Sequence, residues 1–323
     1  MPTAPAVTVP YVGSGPYCYA NSLAMCLGDT GFSVSEIEVL TGSPFGFELL
    51  FGTIPLFDPW GWDPVIGVNA ALGLLGWECS HSAATEPLDE HAEANAIDRL
   101  RRGLESGPVL AGPLEMGLLL QHPGSGQPWF SDHFVAVVAV NDDEVTFHDP
   151  HGFPYSTLPV DAFLAAWRTD TIGYADEHYG MWSDFERRST PSVETAIDAA
   201  VAAGVAWAES GTNQPPADGT VVASSGVLVL ASLVEEGLEP WQHGHLVNFA
   251  VRLGARRLSD GSSALARVER IEAAELMAEM ARLVGSTHHP LVASNPRTAA
   301  SRLRQLAPLY DDLPAALRTA AIG

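Results

Sequence analysis

Hydrophobic residues change their spacing along the chain, from mixed periods in the first half to helical spacing in the second. In the first half, helical spacing follows a Gly/Pro turn at 11–17 and recurs in SVSEIEVLTG, in 91–106 and in PVDAFLAAW. Strand-like apolar runs occur in PVLAGPLEM, HFVAVVAV and VTFHDP, and an Asn/Asp turn between the last two predicts a hairpin. Helices and strands are therefore expected together, which is typical of an α+β fold.

The second half is rich in alanine. From about Ser192, helical spacing runs through SVETAIDAAVAAGVAWAES, GVLVLASLVEEGL, HLVNFAVRLGARRL and IEAAELMAEMARLVG. A chain of 323 residues exceeds the usual size of one domain. We therefore predict one domain over 1–185 and a mostly helical accessory domain, which helps shape a substrate site, over 186–323. Residues 44–69 are aromatic and broken by Pro and Gly, so they are predicted to be an irregular loop region that lines a pocket or covers a core.

Composition excludes several classes of function. The net charge of −23 argues against nucleic acid and anionic membrane as partners. All 16 basic residues are arginine, so no Schiff-base lysine, lysine-bound pyridoxal phosphate or Walker lysine exists. We therefore expect no bound cofactor and a substrate that is activated upstream. No apolar run reaches the roughly 20 residues of a membrane span, and MPTAPAVTVP lacks the features of a secretory signal, which favours the cytoplasm.

Cys18 is the candidate nucleophile. It lies where the Gly/Pro turn meets a predicted helix, and the start of a helix lowers the pKa of a thiol. Cys26 falls within the apolar run of the same helix, and Cys79 has no base nearby in sequence, so both are predicted to be structural. Three irregularly spaced cysteines also fit neither a disulfide framework nor a closed zinc site.

His133 and Asp149 are the candidate base and its orienting group. His133 opens the strand HFVAVVAV, and Asp149 ends the next strand in FHDP. Because a hairpin brings the ends of its strands together, the imidazole can meet the carboxylate while it faces the cysteine helix. Cys at a helix start, then His, then Asp-Pro is the order found in papain-like enzymes. His148 and His151 bracket Asp149 and are interpreted as residues of the strand end.

Two stretches resemble known families. CYANSLAMCLGDTGFSVSEIEVLTGSPFGF and HFVAVVAVNDDEVTFHDP resemble papain-like C39-type cysteine peptidases, and still more the butirosin-biosynthesis H family of acyltransferases. The resemblance covers 11–52 and 133–168 and is only architectural beyond about 190. It implies a papain-like catalytic domain that moves an aminoacyl group from the phosphopantetheine thioester of a carrier protein to an amine of an amino sugar. The amide-condensing enzymes of lincosamide assembly are similar in size and in the type of reaction, because they join a carrier-bound acid to an amino sugar.

Two alternatives stay open at the level of sequence. A peptidase would use the same Cys18, His133 and Asp149 on a peptide without needing a thioester. A catalytically silent papain-like module would serve binding, with an unreactive Cys18. Papain-like enzymes usually carry a Gln shortly before the Cys as oxyanion donor, yet residues 11–17 read YVGSGPY. The backbone N–H of Cys18 can supply one donor. The candidates for the second are Tyr11, Ser14 and Asn21.

Further side chains are candidates for binding the substrates. The acceptor amine would suit Glu48, Asp58 and Asp63 beside Trp60 and Trp62, although turn chemistry also explains the two Asp-Pro pairs. Two basic clusters could hold an acidic carrier protein, although a solvated helix face explains them equally well. They are Arg99, Arg101 and Arg102, and Arg297, Arg302 and Arg304.

No metal site is predicted. His243, His245, His288 and His289 have no third ligand at zinc spacing, so they are interpreted as surface histidines.

Overall fold

The computed structural model describes residues 16–212 and 217–319. The chain divides into two compact units, each built from two separate segments. Of the described residues, 16–31 and 75–190 form the sheet unit, and 32–74, 191–212 and 217–319 form the helical unit. The mixed α+β class and the helical C-terminal region predicted from sequence are confirmed.

The sheet unit is built on six antiparallel strands. Their order across the sheet is β3, β8, β4, β5, β6 and β7. The predicted hairpin is present, and the side chain of Asn141 fixes its turn by accepting the backbone N–H groups of Asp143 and Glu144, both at 2.8 Å. The strands are β3 (Trp77–Thr85), β4 (Val109–Glu115), β5 (Asp132–Val140), β6 (Glu144–Asp149), β7 (Phe153–Pro159) and β8 (Glu177–Arg187).

The α-helices of this unit, within the part of the chain that the structure describes, are α1 (Cys18–Leu27), α4 (Ala92–Leu104) and α5 (Val160–Trp167). The helices α4 and α5 share one hydrophobic core with the sheet, in which Leu100 of α4 and Trp167 of α5 are fully buried together with Val135 and Val137 of β5. The helix α1 packs on the same strand through other side chains, described below. The strand β5 contacts both α1 and α4, and its apolar run is buried except at Ala139, which is half-buried.

The helical unit contains most of the chain's helices. Its members are α2 (Val34–Leu40), α3 (Pro64–Leu75), α6 (Val193–Ser210), α7 (Ala223–Glu236), α8 (Pro240–His245), α9 (Val251–Arg267), α10 (Ile271–Val292) and α11 (Pro296–Arg318). A π-helical turn, Leu246–Ala250, joins α8 to α9, and short 3-10 turns lie at Ser43–Phe45 here and at Met116–Leu118 in the sheet unit. A small sheet holds β1 (Glu48–Leu50) between β2 (Ile54–Leu56) and β9 (Val221–Val222). Within the described residues, no helix is both long and apolar enough to cross a membrane.

The boundary of the first domain differs from the prediction of 1–185. The strand β8 lies between β3 and β4, so the sheet unit extends to Thr190. Residues 32–74 belong instead with the C-terminal helices. The physical reason lies in their contacts: for example, the buried Glu38 of α2 forms an ion pair with Arg257 of α9. Composition alone could not show that residues 32–74 belong to the helical unit, because this segment is no richer in alanine than its neighbours in sequence.

The segment 44–69 is also more regular than predicted. It contains β1 and β2, and α3 begins at Pro64. Proline suits the first turn of a helix, where its missing N–H costs nothing. Asp63 then caps this helix, because its Oδ1 accepts the backbone N–H of Ile66 at 2.8 Å. The start of α2 is capped as well, because Ser33 and Glu36 form a capping box.

Candidate functional site

Cys18 occupies the first position of α1, as predicted. The residue before it, Tyr17, is buried and has a left-handed backbone with φ 81°. This conformation is uncommon for a residue with a side chain, and it turns the chain sharply into the helix. Two contacts fix α1 on β5: Ser22 Oγ donates to the carbonyl of Phe134 at 3.0 Å, and the ring of Tyr19 packs edge-on against Phe134 at 6.0 Å. The thiol therefore lies at a helix start, beside the beginning of β5.

The imidazole of His133 joins Cys18 to Asp149. Its Nε2 lies 2.7 Å from Oδ1 of Asp149, and its side chain hydrogen-bonds with the thiol of Cys18. Since Nε2 faces the carboxylate, Nδ1 is the ring nitrogen that can meet the sulfur. His133 and Asp149 are buried, while Cys18 is half-buried. The three residues predicted from sequence thus form one continuous chain of contacts from thiol to carboxylate.

Electrostatics in this chain favour a charged imidazole. Burial raises the pKa of the Cys18 thiol, while the hydrogen bond and charge of His133 act in the opposite direction. Burial alone would lower the pKa of His133, but the charge and hydrogen bond of Asp149 outweigh it and raise that pKa to about 10. Although burial opposes it, the charge of His133 and the hydrogen bonds from two histidines hold the pKa of Asp149 well below its usual range. The arrangement can therefore stabilise a thiolate beside an imidazolium.

Two side chains that the sequence did not predict also contact the carboxylate of Asp149. Gln121 Nε2 donates to Oδ2 of Asp149 at 2.7 Å, and His122 Nε2 lies 2.8 Å from the same oxygen. The backbone N–H of His151 donates to Oδ1 at 2.7 Å. Gln121 and His122 lie between β4 and β5 in a segment rich in Gly and Pro, where no periodicity or spacing relates them to Asp149. By contrast, His148 packs against Tyr155 and accepts the backbone N–H of that residue.

The carboxylate and two imidazoles also form a group of possible metal ligands. His122, His133 and Asp149 are buried, and one ligand atom of each lies within 4.8 Å of the others. Both rings already contact the carboxylate at hydrogen-bond distance, so a cation would have to replace these contacts. The histidines weighed from sequence are used differently: the Nε2 atoms of His243, His245 and His288 contact the backbone carbonyls of Leu291, Pro55 and Val247, respectively.

Asn21, one of the candidates for the second oxyanion donor, contacts the turn before α1 instead. Its side-chain amide is buried and donates to the carbonyl of Tyr17 at 2.8 Å and to that of Pro16 at 3.4 Å, so it stabilises the turn before the helix. Tyr11 and Ser14, the other two candidates, lie outside the described residues.

Three of the predicted acceptor-binding side chains are core residues of the helical unit. Asp58, Trp62 and Glu48 are all buried. Asp58 Oδ2 accepts from Arg257 Nη1 at 2.8 Å, and Glu38 Oε1 accepts from Arg257 Nε at 2.9 Å. The guanidinium also lies 5.2 Å from the ring centre of Trp62. This buried cluster corrects the prediction of an amine-binding site, because the carboxylate of Asp58 already binds Arg257 and is buried with it.

The other two acceptor candidates also have local roles. Asp63 caps α3. Trp60 is half-buried, its carbonyl accepts the backbone N–H of Thr212 at 3.1 Å, and its ring lies so close to Gly211 that a Cβ there would be only 2.2 Å away. Asp63 therefore has the local capping role that was the alternative to amine binding. Trp60 packs on the end of α6.

Glu48 gives a pH-dependent prediction. Burial and the nearby charge of Asp58 raise the pKa of Glu48 to about 8 from its ordinary 4.5. The folded state then keeps a proton that the unfolded state has released, so the stability from Glu48 is complete below its ordinary pKa and is lost as pH rises through about 8. Glu48→Gln has no proton to lose. We expect the free energy of unfolding of wild type to fall more than that of Glu48→Gln between about pH 5 and about pH 9.

Urea unfolding at both pH values checks this expectation. Exposed Glu236→Gln is the matched control and should follow wild type at both. Equal pH dependence in wild type and Glu48→Gln would show that Glu48 is ionised in the folded protein.

Some arginines of the two predicted basic clusters already contact other groups of this chain. Arg99 donates from Nη1 and Nη2 to the carbonyls of Ala83 and Tyr179. Arg101 contacts Asp142 at 2.9 Å, and Arg304 forms an ion pair with Glu235. Arg102 and Arg297 are exposed and Arg302 is half-buried. Arg99 thus supports the sheet unit, and the exposed arginines remain candidates for a carrier surface.

Comparison with known proteins gives a relative but no activity. Residues 216–318 match the family described as the YobF C-terminal domain, which corresponds to α7–α11 of the helical unit. The chain is also 34% identical over 179 residues to a protein of Bacillus subtilis (strain 168) described as "Uncharacterized protein YobF". The match covers 54% of this chain and 55% of that protein, so the chain spans about half the length of the relative.

Proposed function

We propose that this chain is a thiol-dependent, amide-forming acyltransferase with a papain-like catalytic unit. The observation that carries the proposal is the contact chain from Cys18 at a helix start, through His133, to the buried Asp149. Such a centre attacks acyl carbon atoms, and it needs no metal or cofactor to do so. The resemblance of the sequence around it points to a carrier-protein thioester as donor and to an amino sugar or similar amine as acceptor, as in lincosamide-type condensation of antibiotic biosynthesis.

The reaction divides into two transfers. The thiolate of Cys18 attacks the thioester carbonyl, the bond to the pantetheine sulfur breaks, and His133 returns a proton to that leaving thiol. The product of this step is an acyl-Cys18 thioester. The acceptor amine then attacks the acyl carbon, His133 takes a proton from the nitrogen, and Cys18 leaves as the thiolate. Overall, a thioester and an amine give an amide and a thiol.

A thioester donor fits the electrostatics of the site. Because burial raises the pKa of the Cys18 thiol, formation of the nucleophile depends on the charged His133 beside it. A thiolate is a good leaving group, so the first transfer needs less oxyanion stabilisation than cleavage of a peptide would. The lack of a Gln in residues 11–17 is therefore less damaging to this function than to proteolysis.

The test is product mass after the protein is mixed with an aminoacyl-pantetheine carrier thioester and a panel of amino sugars. We expect an amide from wild type and none from Cys18→Ala, whereas Cys79→Ala, which removes a half-buried thiol elsewhere in the sheet unit, should keep activity. Trapped acyl-Cys18 would establish the two-step route. Cleavage of peptides without transfer would favour the peptidase, and an unreactive Cys18 would favour the binding module.

A further inference from the structure

The carboxylate of Asp149 receives more hydrogen-bond donors than a Cys-His-Asp centre requires. Oδ1 lies 2.7 Å from His133 Nε2 and accepts the backbone N–H of His151 at 2.7 Å. Oδ2 accepts from Gln121 Nε2 at 2.7 Å and lies 2.8 Å from His122 Nε2. Asp149 is fully buried, so these groups replace the water that an exposed carboxylate would bind. Two imidazoles therefore share one carboxylate, one on each oxygen.

The second imidazole comes from a loop that is held firmly at its base. This loop, residues 116–131, connects β4 to β5. Its ends meet where Met116 N–H donates to the carbonyl of Ser131 at 2.8 Å, and Gly126 N–H donates to the carbonyl of Gly117 at 2.8 Å. A Cβ at Gly117 would lie only 2.2 Å from the carbonyl oxygen of Gln127, so the two sides of the loop touch.

A buried carboxylate clamps the same loop. Glu115, the last residue of β4, accepts the backbone N–H groups of Gly117 at 3.1 Å, Trp129 at 2.7 Å and Phe130 at 3.1 Å. Thr171 Oγ1 donates to its other side. With both ends of the loop bonded to one side chain, the position of His122 is set by the fold rather than by the carboxylate that it contacts.

We infer that His122 is a positioning residue of this centre: its imidazole, with Nε2 2.8 Å from Oδ2 of Asp149, supports that oxygen beside Gln121, so that Oδ1 stays directed at His133. The inference rests on the proposed function, since it assigns a partner to that same site. Without the imidazole, Gln121 is the side chain that still holds Oδ2, so the carboxylate is less firmly fixed about its Cβ–Cγ bond, and its hydrogen bond to His133 becomes weaker. A less firmly held imidazolium then does less to stabilise the Cys18 thiolate.

Several charged or titratable groups lie near the thiol of Cys18, and each can affect its pKa. Cys18 of α1 is close to Asp132 and His133 of β5, and Asp149 lies on β6. His151 follows β6, and its ring centre is 5.8 Å from that of His133. Asp132 raises the pKa of the thiol, and His133 lowers it. A change at His122 should therefore reach Cys18 through His133.

The experiment measures how fast iodoacetamide alkylates Cys18 as a function of pH, followed by mass spectrometry of the peptide that contains it. No substrate is needed. His122→Phe keeps a ring but has no donor, and we expect alkylation about tenfold slower at neutral pH, with the profile displaced by about one unit towards alkaline pH. His122→Gln, whose amide can donate to Oδ2, should restore the wild-type profile.

Three further variants make the result decisive. His133→Ala should displace the profile further than His122→Phe, and His148→Gln, a buried histidine on β6 that contacts Tyr155 instead, should leave it unchanged. If His122→Phe does not fold, Glu115→Gln weakens the clamp on the loop, and the same alkaline displacement is expected.

A wild-type profile in His122→Phe or Glu115→Gln, together with a displaced profile in His133→Ala, overturns the role of His122 and leaves the proposed function standing. Wild-type profiles in both His122→Phe and His133→Ala overturn the thiol–imidazole centre itself. Slow alkylation in His122→Phe that His122→Gln does not restore assigns His122 a packing role and contradicts the inference.

Discussion

Replacing His133 by alanine should slow acyl transfer by about 1,000-fold at neutral pH, the usual loss when a general acid–base is removed. The thiol of Cys18 then has neither the proton acceptor nor the positive charge that opposes its burial. The loss should be smaller at alkaline pH, because hydroxide then produces thiolate without the imidazole. Single-turnover kinetics with a small pantetheine thioester measures the effect on the chemical step alone.

The matched control is His91→Gln, since His91 is exposed and contacts only exposed groups. It should retain the wild-type rate. If His133→Ala kept more than about a tenth of the wild-type rate at neutral pH, the general-base role would be wrong, and Cys18 would react by another route.

Arg257→Met should lower the free energy of unfolding of the helical unit by about 3–5 kcal/mol, as expected when one partner leaves a buried ionic cluster. The guanidinium is 2% exposed. It contacts Glu38, Asp58 and the carbonyl of Phe57, and its removal leaves two buried carboxylates that repel each other. Urea unfolding followed by circular dichroism gives the difference.

Two comparisons make this second prediction specific. Arg267→Ala breaks ion pairs on the surface, with Arg267 45% exposed, and should cost no more than about 1 kcal/mol. The combined variant Glu38→Gln, Asp58→Asn and Arg257→Met removes all three charges and should recover part of the lost stability. A loss below about 1 kcal/mol for Arg257→Met alone would mean that the cluster does not hold paired charges.

The central part of the site could be predicted because it follows from short-range patterns. A cysteine after a Gly/Pro turn and before a helical run marks the start of α1, and the hairpin of β5 and β6 follows from two apolar runs around NDDE. Because a hairpin pairs its own ends, the meeting of His133 and Asp149 depends only on neighbouring sequence.

The parts that sequence analysis missed depend on long-range contacts. Gln121 and His122 contact Asp149 because Glu115 fixes the loop that carries both of them. No local sequence pattern reveals that this loop lies close to Asp149. Asp58 and Trp62 are candidates for binding an amine because an aspartate near a tryptophan looks the same in sequence whether it binds a ligand or a buried arginine. The cation that settles this, Arg257, lies in a different helix.

The interleaving of the two units also constrains the order of events during synthesis. The ribosome releases Glu38 and Asp58 early, but their cation arrives about 200 residues later, with α9. Likewise, α1 with Cys18 is synthesised before β5 and β6, which contain His133 and Asp149. The helical unit therefore cannot complete its buried ionic cluster before α9 has been made, and until then the nascent chain carries Glu38 and Asp58 without their cation.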